Sequence, residues 1–203
     1  MIIIGLTGGI GTGKSEAARI LQGLGAVIIN ADQVGHEAYT PHSETWQEVV
    51  KAFGEGILQP SGEIDRRKLG GIVFSDPEQL ARLNRIMHPR MAKMVAERIK
   101  ELAERDTSVV VVEAAILFEA GWDSLVDEVW STDSPEELVI QRLQARNGMS
   151  EEEATKRIGV QMPAEERRKR SDVVLDNSGE VADLERTIHS FWNDRVIEKV
   201  GKV

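Results

Sequence analysis

The stretch Gly5-Leu6-Thr7-Gly8-Gly9-Ile10-Gly11-Thr12-Gly13-Lys14-Ser15 decides the fold of this chain. An apolar, β-branched run over residues 2–4 precedes it. Glu16-Ala17-Ala18-Arg19-Ile20-Leu21 follows, made of good helix formers with apolar residues at helical spacing. Glycines between a strand and a helix are the context in which Gly8-x4-Gly13-Lys14-Ser15 reads as a phosphate-binding P-loop. Glycine lets the backbone wrap tightly enough for successive N–H groups to converge on phosphate oxygens. The helix start adds partial positive charge at the same place. Lys14 is placed to reach the β- and γ-phosphates, and the Ser15 hydroxyl to ligate Mg2+. The structural alternative, a glycine-rich turn with an exposed lysine, does not explain the strand before and the helix after. The motif points to an NTP-binding protein, with Gly8, Gly9, Gly11, Thr12, Gly13, Lys14, Ser15 and Glu16 forming the nucleotide-binding segment.

The bulk properties agree with a small globular protein. The 203 residues suffice for the core of one domain with an inserted subdomain. Apolar content of 41% and charged content of 29% are ordinary for a globular protein in water. A net charge of -9 argues against a general nucleic-acid binder, which needs a basic surface, but leaves room for a local phosphate-binding site. The chain has no cysteine, which excludes disulfides, a thiol nucleophile and a thiolate metal site. No apolar run approaches the ~20 residues of a membrane span. Met1-Ile2-Ile3-Ile4 enters the first strand directly, which leaves no room for a signal peptide. A cytoplasmic protein is expected, without nucleic-acid or membrane partners, as a monomer or weak homo-oligomer.

Outward from the P-loop, the first helix should run over 14–24 and stop at Gly25. Residues 26–30 read as a buried parallel strand, which completes a right-handed βαβ unit. Asp32 then falls at the carboxyl end of a strand, where functional groups of open α/β sheets gather. It reads either as a catalytic acid or as an Asx turn or cap for a helix over 33–38. Residues 41–105 carry helical patterns over 43–53, 66–74, 77–87 and 90–104 and no clear strand, so they read as a helical insertion. The insertion holds Arg66, Arg67, Lys68, Arg82, Arg85, His88 and Arg90, which taken alone read as solvated helix faces.

Val109–Glu113 is the clearest central strand. Glu113 and Glu119 are acids at or after its end, equally readable as ligands of Mg2+ through water and as a turn acid and a helix cap. A fourth strand is expected over 127–132, with Trp130 packed in the core. Ser134-Pro135-Glu136-Glu137 reads as a capped helix start. On that helix Arg142 and Arg146 lie four apart on one face, placed either to clamp phosphoryl oxygens or to face solvent. Asn147-Gly148 turns the chain and Ser150-Glu151-Glu152-Glu153 matches a capping box, which together outline a helical hairpin that could act as a lid. Residues 165–170 read as a solvated helix end, 172–177 as a fifth strand, and 180–200 as a closing helix.

These signals, taken in order, resemble one family, dephospho-CoA kinase. Gly5 to Ser15 is similar to that family's form of the P-loop. Asn30-Ala31-Asp32-Gln33-Val34-Gly35-His36 resembles its Asp-Ala-Asp-x-Ile/Val-x-His motif. Gly62-Glu63-Ile64-Asp65-Arg66-Arg67-Lys68-Leu69 with Val73-Phe74, then His88-Pro89, Leu117-Phe118-Glu119, Arg142/Arg146, Gln161 and Asp172-x4-Asn177 continue the likeness along essentially the whole chain. The resemblance implies ATP-dependent phosphorylation of the ribose 3′-hydroxyl of dephospho-CoA, with ATP as co-substrate and Mg2+ as cofactor. It implies Asp32 as catalytic base, assisted by Lys14 and Arg142, and His36, Asp65, Arg66, His88 and Leu117 near the acceptor. It further implies Arg142 and Arg146 on the ATP phosphates and Asn177 at the adenine. Ser15, with Glu113 as a second candidate, would hold the metal.

The chain departs from the family pattern at a few positions. Asn30 stands for the first Asp of the Asp-Ala-Asp motif, and Glu113-Ala114-Ala115-Ile116-Leu117 for Asp-x-Pro-Leu-Leu. Val139 stands where Gln is common and Ser171 where Ala is. Glu16 takes the place of a common Thr and is expected to face solvent.

The expected architecture is an α/β, three-layer fold of the P-loop NTPase type. Its five-stranded, mostly parallel sheet has helices on both faces. The core spans about 1–40 and 106–203, a helical CoA-binding insertion about 41–105, and a lid about 134–165. Three other readings of the residues are another small-molecule or nucleoside monophosphate kinase, a GTPase-type switch and a non-catalytic nucleotide-binding module. The chain has no Asn-Lys-x-Asp tetrapeptide for the second, and a module of the third kind has little use for Lys14, Ser15, Asp32 and two arginines together.

Overall fold

In the computed structural model, which describes residues 1–200, five strands form one sheet: β1 (Ile2–Gly8), β2 (Val27–Asn30), β3 (Val109–Glu113), β4 (Glu128–Asp133) and β5 (Val173–Asp176). They lie in the order β2-β3-β1-β4-β5. β1 pairs in parallel with β3 on one side, Ile4 opposite Val111, and with β4 on the other, Leu6 opposite Trp130; β5 pairs in parallel with β4. β1 is central, so its apolar residues are covered on both faces, and Ile4 and Leu6 are fully buried. This order brings the carboxyl ends of β1, β3, β4 and β5 to one edge, where the P-loop begins at Gly8, the last residue of β1.

The chain divides into two compact units. Among the described residues, the first comprises 1–29 and 99–200, and the second 30–98. In the first, α1 (Lys14–Gly23) and α9 (Val181–Phe191) pack on the sheet. Ala17, Ile20 and Leu21 of α1 meet Leu184 and Ile188 of α9 over Ile4, Val111 and Leu175. Past α9 the chain continues through a π-helical stretch, Trp192–Ile197, into α10 (Glu198–Val200).

This closing segment is tied to the start of β4. Glu128 receives Arg195 Nε at 2.8 Å, Trp130 Nε1 at 3.1 Å and a hydrogen bond from Lys199. Burial alone would raise the pKa of Glu128, but the hydrogen bonds from Arg195, Lys199 and Trp130 outweigh it and hold the carboxyl at about 2. Trp130 is fully buried and meets Phe191 edge-on at 6.0 Å, the core role its sequence context suggests.

The hairpin of the first unit is α6 (Glu136–Asn147) and α7 (Glu151–Gly159), followed by α8 (Ala164–Arg170). Its small core is Val139, Leu143 and Ala154, and Ile10 of the P-loop packs against it. Ser150 and Glu153 form both bonds of the capping box. Ser134, however, does not cap α6. Its hydroxyl donates to the Asn177 carbonyl at 2.9 Å, and Pro135 takes the cap position without a side-chain bond.

The second unit holds α2 (Ala31–Ala38), α3 (Glu44–Phe53), α4 (Arg66–Val73) and most of α5 (Pro77–Ala103). The helix read over 33–38 starts two residues earlier, because the Asn30 side chain accepts from Gln33 N at 3.1 Å and caps it. Asp32 is therefore in the first turn and is not the cap. The helices read over 77–87 and 90–104 are one continuous α5. Pro89 removes an internal hydrogen bond and costs about 3 kcal/mol. Leu83, Met87, Met91 and Val95 form an unbroken buried stripe across it, and burial of ~1.5–3 kcal/mol per such side chain exceeds that cost. Met91 rests against Gly35, where an added Cβ would lie 3.2 Å from its Cε.

Candidate active site

The P-loop shape is set by two close approaches. A Cβ on Gly8 would lie 2.1 Å from Thr132 Oγ1, so only glycine lets β1 pass the end of β4 there. Gly13 has φ +97° and a Cβ on it would lie 2.0 Å from Asn177 Nδ2, so conformation and space both require glycine. Thr12 is 6% exposed and braces the loop. Its hydroxyl donates to the Gly9 carbonyl at 2.9 Å and shares a 2.7 Å hydrogen bond with Thr132 Oγ1. Asn177 Nδ2 donates to the Thr12 carbonyl at 2.9 Å.

The P-loop borders a cavity of about 800 Å³. Gly8, Gly9, Gly11, Gly13, Lys14, Ser15 and Glu16 line it, with Arg142, Arg146 and Asn177. Thr12 lies behind the loop, and its contacts support the loop from there. Glu113 is 7% exposed at the end of β3, and one of its oxygens faces both functional P-loop side chains: Ser15 Oγ at 3.2 Å and Lys14 Nζ at 3.5 Å. Glu16 pairs with Arg19 one turn along α1 at 2.5 Å. Arg142 donates through Nη1 to Ser134 Oγ at 3.0 Å and through Nη2 to the Asn177 carbonyl at 2.9 Å, while Arg146 is exposed and bonds Asn147 Oδ1 at 3.0 Å. The Asn177 side chain supports the loop, so its amide nitrogen does not project freely toward a base.

The donor set fits Mg2+. This ion takes one or two carboxylates or hydroxyls and fills its octahedron with substrate phosphates and water. Ser15 and Glu113 supply one of each. Among the described residues no cluster of three or more His, Cys, Asp or Glu is built to hold a metal without a substrate.

The second unit has its own cavity, of about 920 Å³, lined by His36, Tyr39, Gln59, Asp65, Arg66 and Arg67 among others. Three residues expected near the acceptor, His36, Asp65 and Arg66, therefore share one hollow. Asp65 also caps α4, accepting from Arg67 N at 3.0 Å and Lys68 N at 3.2 Å. Burial raises the pKa of Tyr39 and the Arg66 charge opposes that shift. Asp32 and His36 are exposed and lie four apart on one face of α2. His88 sits partly buried within α5 and is not among the residues lining this cavity.

Leu117 does not face a substrate. It is fully buried, with its Cδ1 over Gly5, where a Cβ would lie 2.6 Å away; it closes the core beneath the β1 backbone. Residues 165–170 are not uniformly a solvated helix end either, because Arg167 is 5% exposed. Three site residues carried no functional role in the sequence reading. Ser134 orients Arg142, and its motif reads more simply as a helix cap. Gln161 accepts from Ile10 N at 2.8 Å. Arg167 Nη1 lies 3.4 Å from where a Cβ on Gly9 would stand; one buried base among four in a row has no distinguishing periodicity.

The model of the family described as dephospho-CoA kinase matches residues 2–183. A dephospho-CoA kinase from Geobacter sulfurreducens is 47% identical over 195 residues, which are 96% of this chain and 99% of that protein. One from Carboxydothermus hydrogenoformans is 48% identical over 197 residues, covering 95% and 96%. Among solved structures, a Thermus thermophilus protein superposes with a TM-score of 0.79 at 36% identity, covering 96% of this chain and 97% of that one. A dephospho-CoA kinase from Campylobacter jejuni gives 0.73 at 26%, covering 97% and 98%. Shikimate kinase from Bacteroides thetaiotaomicron, at 0.54 and 14% identity, shares the fold, with 95% and 96% covered.

Proposed function

The chain belongs to the dephospho-CoA kinase family, and on that premise we propose how its residues divide the work of the reaction. The protein is an ATP-dependent kinase that transfers the γ-phosphoryl group of ATP to dephospho-CoA, giving coenzyme A and ADP.

The observation that carries the division of labour is the meeting of Lys14 and Ser15 with one Glu113 oxygen at the head of the P-loop cavity. ATP lies along the P-loop, with its phosphates on the backbone N–H groups and on Lys14. Ser15 and Glu113 hold Mg2+, and Lys14 leaves Glu113 for the phosphates when nucleotide enters. Bound there, the ion neutralises charge on the phosphate oxygens. Arg142, held by Ser134 and the Asn177 carbonyl, contributes its charge and its remaining guanidinium N–H donors. Arg146 reaches the phosphates from the same helix face. The α6–α7 hairpin acts as the lid.

The second unit serves as the acceptor-binding insertion, and its His36–Asp65–Arg66 hollow takes the anionic part of dephospho-CoA. Asp32 accepts the proton of the 3′-hydroxyl as the new P–O bond forms. Phosphoryl transfer asks little else of a protein beyond positioning and charge neutralisation. No helix among the described residues is long and apolar enough to cross a membrane. The absence of cysteine suits a reducing, cytoplasmic setting for a monomer or weak homo-oligomer without a nucleic-acid partner.

The test is ADP release from ATP and Mg2+ with dephospho-CoA, AMP, CMP or adenosine as acceptor. Release stimulated by dephospho-CoA alone, with coenzyme A formed in equal amount and lost on chelation of Mg2+, is the expected result. Stimulation by a nucleotide acceptor would overturn the assignment of the acceptor hollow.

A further inference from the structure

α8 carries four bases in a row, Arg167, Arg168, Lys169 and Arg170, and three of them are matched by acids. Arg168 pairs with Asp133 at 2.7 Å, Lys169 with Glu165 at 2.7 Å and Arg170 with Asp123 at 3.2 Å. Arg167 differs. It is 5% exposed, and its ion-pair partners among the described residues are none. Its Nη2 donates to the Met162 carbonyl at 2.9 Å, and its Nε is buried without a hydrogen-bond partner. Burial lowers its pKa, opposed by the charges of Glu119 and Asp133, but a guanidinium stays protonated at any working pH. A buried cation with an unused donor is unfavourable until an anion completes it.

The position of Arg167 indicates which anion. A Cβ built on Gly9 would lie 3.4 Å from Arg167 Nη1 and 3.4 Å from Gln161 Oε1. The same Gln161 oxygen accepts the N–H of Ile10, the next residue of the loop, at 2.8 Å. At this corner a backbone donor of the P-loop is therefore met by a neutral amide oxygen, with a cation beside it. Gly9, Ile10 and Gln161 line the P-loop cavity and also a neighbouring cavity of about 680 Å³, which Arg167 helps to line. The helix end of a P-loop cradles the inner phosphates, which leaves the Gly9–Ile10 corner for the terminal one. Arg142 is already engaged by Ser134 and Asn177.

We propose that Arg167 is a catalytic residue of the transfer, its guanidinium contacting the γ-phosphoryl oxygens of ATP at the Gly9–Ile10 corner. A phosphate oxygen that takes the Ile10 N–H displaces the Gln161 amide and completes Arg167. As the bond from γ-phosphorus to the β–γ bridging oxygen breaks and the bond to the acceptor oxygen forms, the hydroxyl proton passes to the base. Arg167 gives and takes no atom. It holds charge on the three oxygens of the group in flight, the role in which a planar fork exceeds an ammonium.

This inference rests on the P-loop binding ATP, so ADP is the control ligand. The full chain would be compared with Arg167→Gln, Arg167→Met and Arg167→Lys for turnover, KM, melting temperature and affinity for ADP and a non-hydrolysable ATP analogue. The Gln and Met variants should lose about 100-fold or more in kcat, with Lys recovering only part. The analogue should bind about tenfold more weakly while ADP stays within about twofold, because only the analogue carries the γ group. Turnover within about threefold of wild type, or equal weakening of ADP and analogue, would overturn the proposal and leave Arg167 a structural residue.

If the uncharged variants fail to fold, the wild-type protein still decides. The Arg167 Nε–H resonance should shift with the analogue and not with ADP, and an unshifted resonance is the contrary result. Failure of the wild-type protein to bind ADP would remove the nucleotide reading of the P-loop itself.

Discussion

Asn177 donates its side-chain amide to the Thr12 carbonyl at 2.9 Å across 165 positions of sequence. The end of β5 thereby fixes a peptide group in the middle of the P-loop. The Asn177 carbonyl in turn receives Ser134 Oγ and Arg142 Nη2, both at 2.9 Å. One residue thus sets the loop that holds phosphate and the arginine aimed at the same cavity. Asn177→Ala leaves the Thr12 carbonyl only the long 3.5 Å contact from Ser134 Oγ in a buried setting, at a cost of ~1–3 kcal/mol. We expect that loss in urea unfolding and a roughly tenfold rise in the ATP dissociation constant, as one hydrogen bond's worth of loop order is lost. Unchanged ATP affinity in a destabilised Asn177→Ala would show that the tie supports the fold without shaping the loop.

Gly13→Ala should be far more damaging. It places a Cβ 2.0 Å from Asn177 Nδ2 on a backbone with φ +97°. Either the tie to Asn177 or the loop conformation has to give way, and nucleotide binding should fall by about 100-fold or more, some 3 kcal/mol. Gly25→Ala is the control. It has φ +103° with nothing within 4 Å, so it should cost ~1 kcal/mol of stability and leave nucleotide titrations unchanged.

The P-loop was legible because local pattern and chemistry coincide there: apolar strand, glycines, lysine, serine and helix follow one another without interruption. The last four strands were legible within a residue or two because each is a short, mostly apolar run at a parallel sheet, whereas β1 extends past its apolar run to Gly8. The break expected at His88-Pro89 failed for a physical reason. A proline removes one hydrogen bond locally, whereas the stripe of Leu83, Met87, Met91 and Val95 is held by contacts the local sequence does not display. Ser134 misled in the same way. Its position before Pro135 matches a cap, but its hydroxyl is drawn to Asn177, 43 residues on. Leu117 was assigned to the acceptor by resemblance, and only the close approach to Gly5 shows that it is core. Burial of one base among four depends on how α8 packs against β4, which no periodicity encodes.

Asp32 stands in the first turn of α2, with Asn30 taking the cap, so its carboxylate is not engaged in capping. Asp32→Asn keeps the shape and removes the proton acceptor. ATP affinity should be unchanged and kcat should fall by ~100-fold or more, the usual range for loss of general-base assistance. Calorimetric titration with ATP beside steady-state turnover separates the two effects. An Asn variant that turns over at the wild-type rate would exclude Asp32 as the base.

Glu128 yields a pH prediction whose sign follows from its depressed pKa. Its ordinary value is 4.5, and the hydrogen bonds from Arg195, Lys199 and Trp130 hold it at about 2 in the folded chain. A carboxylate with a lowered folded-state pKa adds stability that is fully present above the unfolded value. That contribution is lost as pH falls from about 4.5 through 2. The shift alone corresponds to ~3 kcal/mol. Arg195 and Lys199 are 38% and 53% exposed, so water screens the pair, and roughly 2 kcal/mol is the better expectation. Glu128→Gln should therefore be less stable than wild type by about that amount at pH 7, with the gap nearly unchanged at pH 5 and clearly smaller at pH 3. Urea unfolding at the three pH values measures it. A gap that stays constant down to pH 3 would mean that the carboxylate's charge does not anchor the closing helix to β4, and that the packing of Trp130 against Phe191 holds the segment instead.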